Sequence, residues 1–198
     1  MDSTYHFAVD LGATSGRTVL ATYCGGKVCM RELTRFRYPM LPLNGHLYWN
    51  LPLIYQEILD GLKKCVQVFA GEGIDLSRLV SMGIDSWGCD VAFFRKDGSL
   101  SGLPYCYRDN HTVGAMEKFC ENMPEDVVYE KTGIQFMDFN TLFQLDTIRR
   151  MSPEIIDGAD KILFIPDALA YMLTGKAVME YTVASTSQML NPGTGDLD

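Results

Sequence analysis

A short apolar run, Phe7-Ala8-Val9, ends in Asp10-Leu11-Gly12-Ala13-Thr14-Ser15-Gly16-Arg17, and a second strand-like segment, Arg17 to Tyr23, begins at once. A third, Lys27 to Arg37, follows across Gly25-Gly26. Two adjacent glycines supply the positive φ angles that a tight hairpin turn requires. The chain is therefore expected to open as a three-stranded antiparallel meander.

The first loop also has chemistry. Its two glycines are expected to let the backbone turn sharply and approach a ligand. Thr14 and Ser15 place hydroxyls beside successive backbone N–H groups, the arrangement that cradles a phosphate. Arg17 adds a planar fork suited to phosphate oxygens. Asp10, at the end of a buried strand, is placed to hold a hydrated Mg²⁺. No Gly-Lys-Ser/Thr follows, so this is not a Walker loop. A strand follows where a dinucleotide fold would have a helix, and the glycine spacing differs. The plain alternative is a glycine-rich hairpin turn with a surface arginine.

Beyond the meander the pattern changes. Leu51, Ile54, Tyr55, Ile58, Leu59, Leu62, Val66 and Phe69 recur at three- and four-residue spacing, which predicts a helix with one apolar face. Asn50 is its N-cap, Pro52 sits in the first turn, and Gly71 and Gly73 end it. Leu79 to Ile84 reads as a central strand and Val91 to Phe94 as another. Helices are expected at Thr112–Asn122, Glu125–Lys131 and Asn140–Arg150. A strand at Lys161–Ile165 leads to a helix over Asp167–Leu173, capped by Gly175. Strands that first form a meander and then alternate with helices imply an α/β fold with a mixed sheet flanked by helices.

With 198 residues, 47% of them hydrophobic, the chain suits one domain or an extended single unit. No apolar run reaches the length of a membrane span, and the start lacks a signal-peptide pattern, so a cytoplasmic protein without a membrane partner is expected. The net charge of -8, with no basic cluster larger than Arg149-Arg150, argues against a nucleic-acid surface. The six cysteines show no metal spacing and are expected to be reduced and mostly buried. The three histidines are scattered and give a histidine-based mechanism little support.

Met82-Gly83-Ile84-Asp85-Ser86-Trp87-Gly88-Cys89-Asp90, taken with the loop, resembles the FGGY carbohydrate kinases, and among them the rhamnulokinases. Leu103 to Asp109, with its Tyr107-Arg108-Asp109, is similar to a family segment. So are Thr132 to Phe136 running into Phe139 to Leu145, Pro166 to Lys176, and Glu180-Tyr181-Thr182. The resemblance implies an actin-like ATPase (ribonuclease H-like) domain, with ATP and sugar held between this part and a second domain. It implies transfer of the ATP γ-phosphoryl group to the O1 hydroxyl of L-rhamnulose, with Mg²⁺ accompanying the ATP. By position, Ala13, Thr14, Ser15, Gly16 and Arg17 match the ATP-contacting loop, Asp10 the metal-side aspartate and Gly88 a substrate contact.

A sugar offers hydroxyls to carboxylates and amides and an apolar face to aromatics. Asp85, Asp90, Trp87, Gln135, Phe139 and Asn140 supply such groups. Each has a plain alternative: Asp85 capping a strand end, Trp87 in a core, Phe139 packing, Asp90 holding a turn. Tyr107-Arg108-Asp109 reads either as a ligand wall or, preferably, as an internal ion pair. The family's proton acceptor is an aspartate in a Ser-His-Asp-Thr-like segment. None occurs here, since His6, His46 and His111 are followed by Phe7, Leu47 and Thr112. The chain is thus expected to be a truncated N-terminal domain over residues 1–198, without the catalytic base or the C-terminal nucleotide-binding domain, and inactive alone. Competing readings are an actin-like ATPase that phosphorylates no sugar, a kinase for xylulose, fuculose or glycerol, and a non-catalytic sugar-binding module.

Overall fold

A computed structural model describes residues 3–197. The chain forms two compact units. One holds the chain up to Pro39 together with Asn50–Ser86; the other holds Met40–Trp49 and the residues from Trp87 onward.

The first unit is built on the expected meander. Strands β1 (Thr4–Leu11), β2 (Ser15–Cys24) and β3 (Lys27–Arg37) pair antiparallel, with Asp10 opposite Arg17 and Cys24 opposite Lys27. Gly25 and Gly26 both have positive φ, 57° and 78°, as the turn between β2 and β3 demands. Strand β6 (Leu79–Asp85) adds parallel to β1, making a mixed sheet in the order β3-β2-β1-β6. The expectation of a central strand there was wrong. β6 lies at the outside of its sheet, with Val80 and Met82 exposed, because nothing among the described residues pairs with its other edge.

Helix α1 (Leu51–Glu72) packs on this sheet. The Asn50 side chain accepts the Leu53 N–H at 3.2 Å, and Gly73 closes the other end in the left-handed region at φ 65°. Gly71 lies inside the helix and does not end it. The buried face is Leu51, Ile54, Ile58, Gly61, Cys65, Val68 and Phe69, and Val66 points to solvent. Gly61 was not marked by apolar periodicity, yet it makes the closest approach. A Cβ there would lie 2.4 Å from Thr18 Cγ2 and 2.6 Å from its Oγ1. Thr18 is fully buried, and its hydroxyl is bonded to that of Thr34 at 2.6 Å, so it has nowhere to move.

The second unit begins with a hairpin that the sequence reading left unassigned, β4 (Leu41–Leu43) and β5 (His46–Tyr48), turned by Asn44 and Gly45 at φ 52° and 85°. Strands β7 (Val91–Phe94) and β8 (Lys161–Phe164) do not join the meander sheet as expected. They pair antiparallel as a two-stranded sheet of their own. All four residues of β7 are buried, so it shows no alternation that could have assigned it to either sheet. Helices α2 (Ala115–Cys120), α3 (Glu125–Thr132), α4 (Thr141–Met151), α5 (Pro153–Asp157), α6 (Ile165–Thr174) and α7 (Tyr181–Ala184) complete the unit. Val91, Phe93, Ile148, Phe164, Val183, Ala184 and Leu190 form one core cluster within it.

One further expectation changes. Only Cys65 and Cys106 are buried; Cys89 and Cys120 are half-buried, and Cys24 and Cys29 are exposed. Among the described residues, no helix is long and apolar enough to cross a membrane.

Gly61 and Gly71 separate packing from propensity within one helix. Gly61→Ala forces a methyl into an occupied site and is expected to cost about 1–3 kcal/mol. Gly71→Ala meets nothing within 4 Å, so relief of glycine's backbone entropy should stabilise by about 0.5–1 kcal/mol. Urea denaturation of the two variants checks both signs, and a Gly61→Ala chain as stable as its parent would contradict this close contact.

Candidate functional site

The residues singled out from sequence fall into two groups, one in each unit. In the first unit, Asp10 ends β1 and Arg17 stands opposite it on β2. The guanidinium grips the carboxylate through Nε at 2.8 Å and Nη2 at 2.7 Å, and both side chains remain nearly half exposed. Gly12, Ala13 and Thr14 form the exposed tip between the strands. Gly12 N–H closes the tip onto the Ser15 carbonyl at 2.9 Å, while Ala13 and Thr14 N–H find no acceptor among the described residues. Two adjacent main-chain donors at an exposed tip, beside a guanidinium, suit an anion.

Tyr38 holds the tip in this form. Its backbone N–H donates to Thr14 O at 3.1 Å, and its buried hydroxyl reaches Gly12 O and lies 3.2 Å from Ser15 O. Because C=O and N–H of a trans peptide point opposite ways, pinning the Gly12 carbonyl turns the Ala13 N–H away from Tyr38. No motif signalled Tyr38, because it lies 26 residues from Gly12 in the chain. The reason given for the two glycines also needs correcting, since neither has a positive φ. Gly16 sits in the ladder between Leu11 and Phe36, and a Cβ would lie 2.7 Å from both side chains. It is glycine for packing.

Asp85 belongs with this group. It ends β6 as the register partner of Asp10 on parallel β1, and it is exposed. Neighbouring parallel strands lie about 4.8 Å apart. Two carboxylates at adjacent strand ends, open to solvent, fit Mg²⁺, which takes few protein ligands and keeps several waters. Among the described residues there is no cluster of three or more ligating side chains, so any such ion would be completed by water and phosphate oxygens.

In the second unit the centre is Asp90, only 1% exposed. Its Oδ2 accepts from Trp49 Nε1 at 2.5 Å, Trp87 Nε1 at 3.0 Å and Tyr107 N–H at 3.1 Å; its Oδ1 accepts from Gln144 Nε2 at 2.9 Å. Burial pushes the Asp90 carboxyl up to about 6 against the pull of these donors. The two indoles lie 4.3 Å apart, centroid to centroid, and Tyr107 lies 6.2 Å from Trp49 and 5.8 Å from Phe139. Trp87 and Gly88 are half-buried. Asn140 is buried, and its amide donates to Gln135 O at 2.9 Å and Gln188 Oε1 at 2.7 Å. Gln135 itself is exposed. Trp87, Gly88, Asp90, Gln135 and Asn140 are thus gathered in one unit, with Asp90 organising the two tryptophans. Burial pushes the Cys89 thiol up to about 11, so it is no nucleophile at neutral pH.

The internal ion pair expected in Tyr107-Arg108-Asp109 does not form. Arg108 lies over the Tyr107 ring at 5.3 Å. Asp109 instead accepts from His46 Nδ1 at 3.0 Å, His111 Nδ1 at 2.8 Å, and the N–H groups of Leu47 and His111. Burial acts to raise its carboxyl, but these donors outweigh it and hold the group below the usual range. Histidines 65 residues apart in sequence thus meet on one carboxylate, which spacing alone gave no means to see.

The model of the FGGY family of carbohydrate kinases, N-terminal domain, matches residues 5–198. The chain belongs to that family. It is 50% identical over 192 residues to a rhamnulokinase of Bacteroides thetaiotaomicron, covering 97% of this chain and 38% of that protein. A rhamnulokinase of Yersinia pestis is 42% identical over 193 residues, with 96% of this chain and 38% of the relative covered. The chain therefore spans well under half the length of these relatives. Among solved structures, a gluconate kinase of Lactobacillus acidophilus superposes with a TM-score of 0.84 at 21% identity over all of this chain and 38% of the other. A ligand-bound xylulose kinase of the same organism gives 0.83 at 21%, over 98% and 38%. This FGGY chain thus has the actin-like ATPase fold of those kinases.

Asp90 in this FGGY domain makes a pH-dependent prediction. Its folded pKa stands above the ordinary 3.8, so between roughly pH 4 and 6 the folded chain holds more protons than the unfolded one. The resulting stability is full below that window and declines as pH rises through about 6. The indole N–H resonances of Trp49 and Trp87 should shift together with a midpoint near 6, and the shift should vanish in Asp90→Asn. A common midpoint near 4, the ordinary value, would show that burial does not dominate there.

Proposed function

We propose that this chain is the part of a rhamnulokinase that grips the nucleotide phosphates and the sugar. In the complete enzyme, the O1 hydroxyl of L-rhamnulose attacks the γ-phosphorus of ATP. The O1–P bond forms, the bond to the β–γ bridging oxygen breaks, and ADP leaves with L-rhamnulose 1-phosphate as the other product. The proton passes to an aspartate of the Ser-His-Asp type, a segment that these 198 residues do not contain. The observation that carries this reading is the 50% identity to a rhamnulokinase along 97% of the chain. The reaction places the protein in the cytoplasm, where ATP and sugar are available.

The residues divide the work as follows. Ala13 and Thr14 offer main-chain amides and, with the Thr14 and Ser15 hydroxyls, take the terminal phosphates. Gly16 keeps the two strands close enough to present them. Arg17 exchanges Asp10 for phosphate oxygens and spreads the charge that builds on them during transfer. Asp10, released from that pair, would help hold the Mg²⁺ that accompanies ATP, and that ion would supply charge neutralisation. Gly88, Trp87 and Gln135 form the sugar side, with Asp90 holding Trp87 and Asn140 holding the Gln135 carbonyl, and Asp85 stands at the end of β6 beside Asp10. Neutral residues at the sugar side and charged ones at the loop match the two halves of the substrate pair.

In a coupled assay with ATP and L-rhamnulose, the purified chain should give no turnover. Calorimetric titration with Mg-ATP should find weak binding that falls about tenfold or more in Arg17→Ala, since a charge-assisted fork contributes on the order of 1.5–3 kcal/mol. Arg17→Lys should recover only part of it, because a point charge cannot grip two oxygens at once. Equal affinity in the parent and Arg17→Ala would remove the loop from the reading.

A further inference from the structure

Around Gly88 the backbone is in a conformation that L-residues rarely adopt. Cys89 has φ 70°, and the Asp90 N–H donates back to the Gly88 carbonyl at 2.9 Å. A two-residue hydrogen bond across a central residue of positive φ is a γ-turn of the rare, strained hand. Glycine would adopt it without penalty, yet the position holds cysteine. A strained turn persists only where its surroundings over-determine it.

Those surroundings are two threonine hydroxyls. Thr186 Oγ1 donates to Val183 O at 2.7 Å, which fixes the hydroxyl proton and leaves a lone pair for the Cys89 N–H at 3.1 Å. Thr141 Oγ1 donates to the Cys89 carbonyl at 2.7 Å. Both main-chain polar groups of the strained residue are thus held by side chains from distant parts of the chain. Thr186 also presses on the preceding residue. A Cβ at Gly88 would lie 2.3 Å from Thr186 Oγ1 and 2.8 Å from its Cβ and Cγ2. The Gly88 N–H, half-buried beside Trp87, has no acceptor among the described residues.

We infer that Thr186, assisted by Thr141, is a positioning residue for the sugar: it clamps the Gly88–Asp90 γ-turn so that the Gly88 N–H is presented to a substrate hydroxyl. The inference rests on Gly88 being a sugar contact, as proposed above. Thr186 touches no substrate in this role; it acts through the backbone of Gly88 and Cys89. Serine preserves the hydroxyl and should preserve the clamp. Valine keeps the shape and removes the acceptor, so Cys89 loses its N–H partner while the packing against Gly88 survives.

The test uses the full 198-residue chain and two readouts, amide hydrogen exchange at Cys89 and Asp90, and L-rhamnulose affinity from tryptophan fluorescence. Thr186→Val should speed Cys89 exchange and weaken sugar binding by about tenfold, the worth of roughly one hydrogen bond, with Thr186→Ser close to the parent in both. Unchanged exchange in Thr186→Val overturns the clamp whatever the sugar does. Faster exchange with unchanged affinity overturns the positioning role. If the parent chain protects Cys89 but shows no saturable sugar binding, the sugar reading of Gly88 fails, a result distinct from failure of the clamp.

Discussion

A carboxylate with almost no access to water must find its donors within the protein, and Asp90 sets the second unit around that need. Trp49, Trp87, Tyr107 and Gln144 come from four separate stretches of chain and converge on its two oxygens. A buried charge deprived of one donor costs far more than that hydrogen bond contributes when made. Each of these stretches is therefore held in place by the penalty for leaving. Phe139 and Cys89 join through Gln144, whose amide also donates to the carbonyls of both. The strained turn at Cys89 lies directly against this hub, so its shape is fixed from below by Asp90 and from the side by threonine hydroxyls.

The local features were legible in the sequence, and the reasons are local. Gly25-Gly26 can hardly be anything but a tight turn, and Asn50 followed by Pro52 marks a helix start whatever packs on it. The loop from Gly12 to Arg17 was recognisable because its chemistry lies in consecutive residues. What failed depended on distant partners. Val91 to Phe94 reads as a strand, but four consecutive buried residues do not say which sheet receives them. Leu79 to Ile84 is apolar enough for a central strand, and only pairing shows it to be an outer one. Tyr38, Thr186 and the meeting of His46 with His111 on Asp109 carry no local signal at all.

The candidate sites show the same division in finer detail. Residue type and order assigned Asp10 and Arg17 to metal and phosphate, and the structure pairs them with one another. That is compatible with both roles, since an exposed ion pair is weak enough to be exchanged for better partners. The glycines invite a different lesson. Glycine was read as conformational freedom at Gly12 and Gly16, whereas Gly16, Gly61 and Gly88 are small because a side chain already occupies the space. Sequence alone does not distinguish the two uses, because both leave the same letter.

Gly61 has a bearing on the loop that its distance in sequence conceals. Its close approach immobilises Thr18, the residue next to Arg17, between helix α1 and the Thr34 hydroxyl. A guanidinium growing from so firmly braced a backbone would have only its own torsions and its pair with Asp10 to rearrange if it met an anion. Less disorder would then be surrendered, and more of each contact would survive as affinity. Under the proposed role of the loop, a helix on the sheet behind it would thereby sharpen the grip of the hairpin.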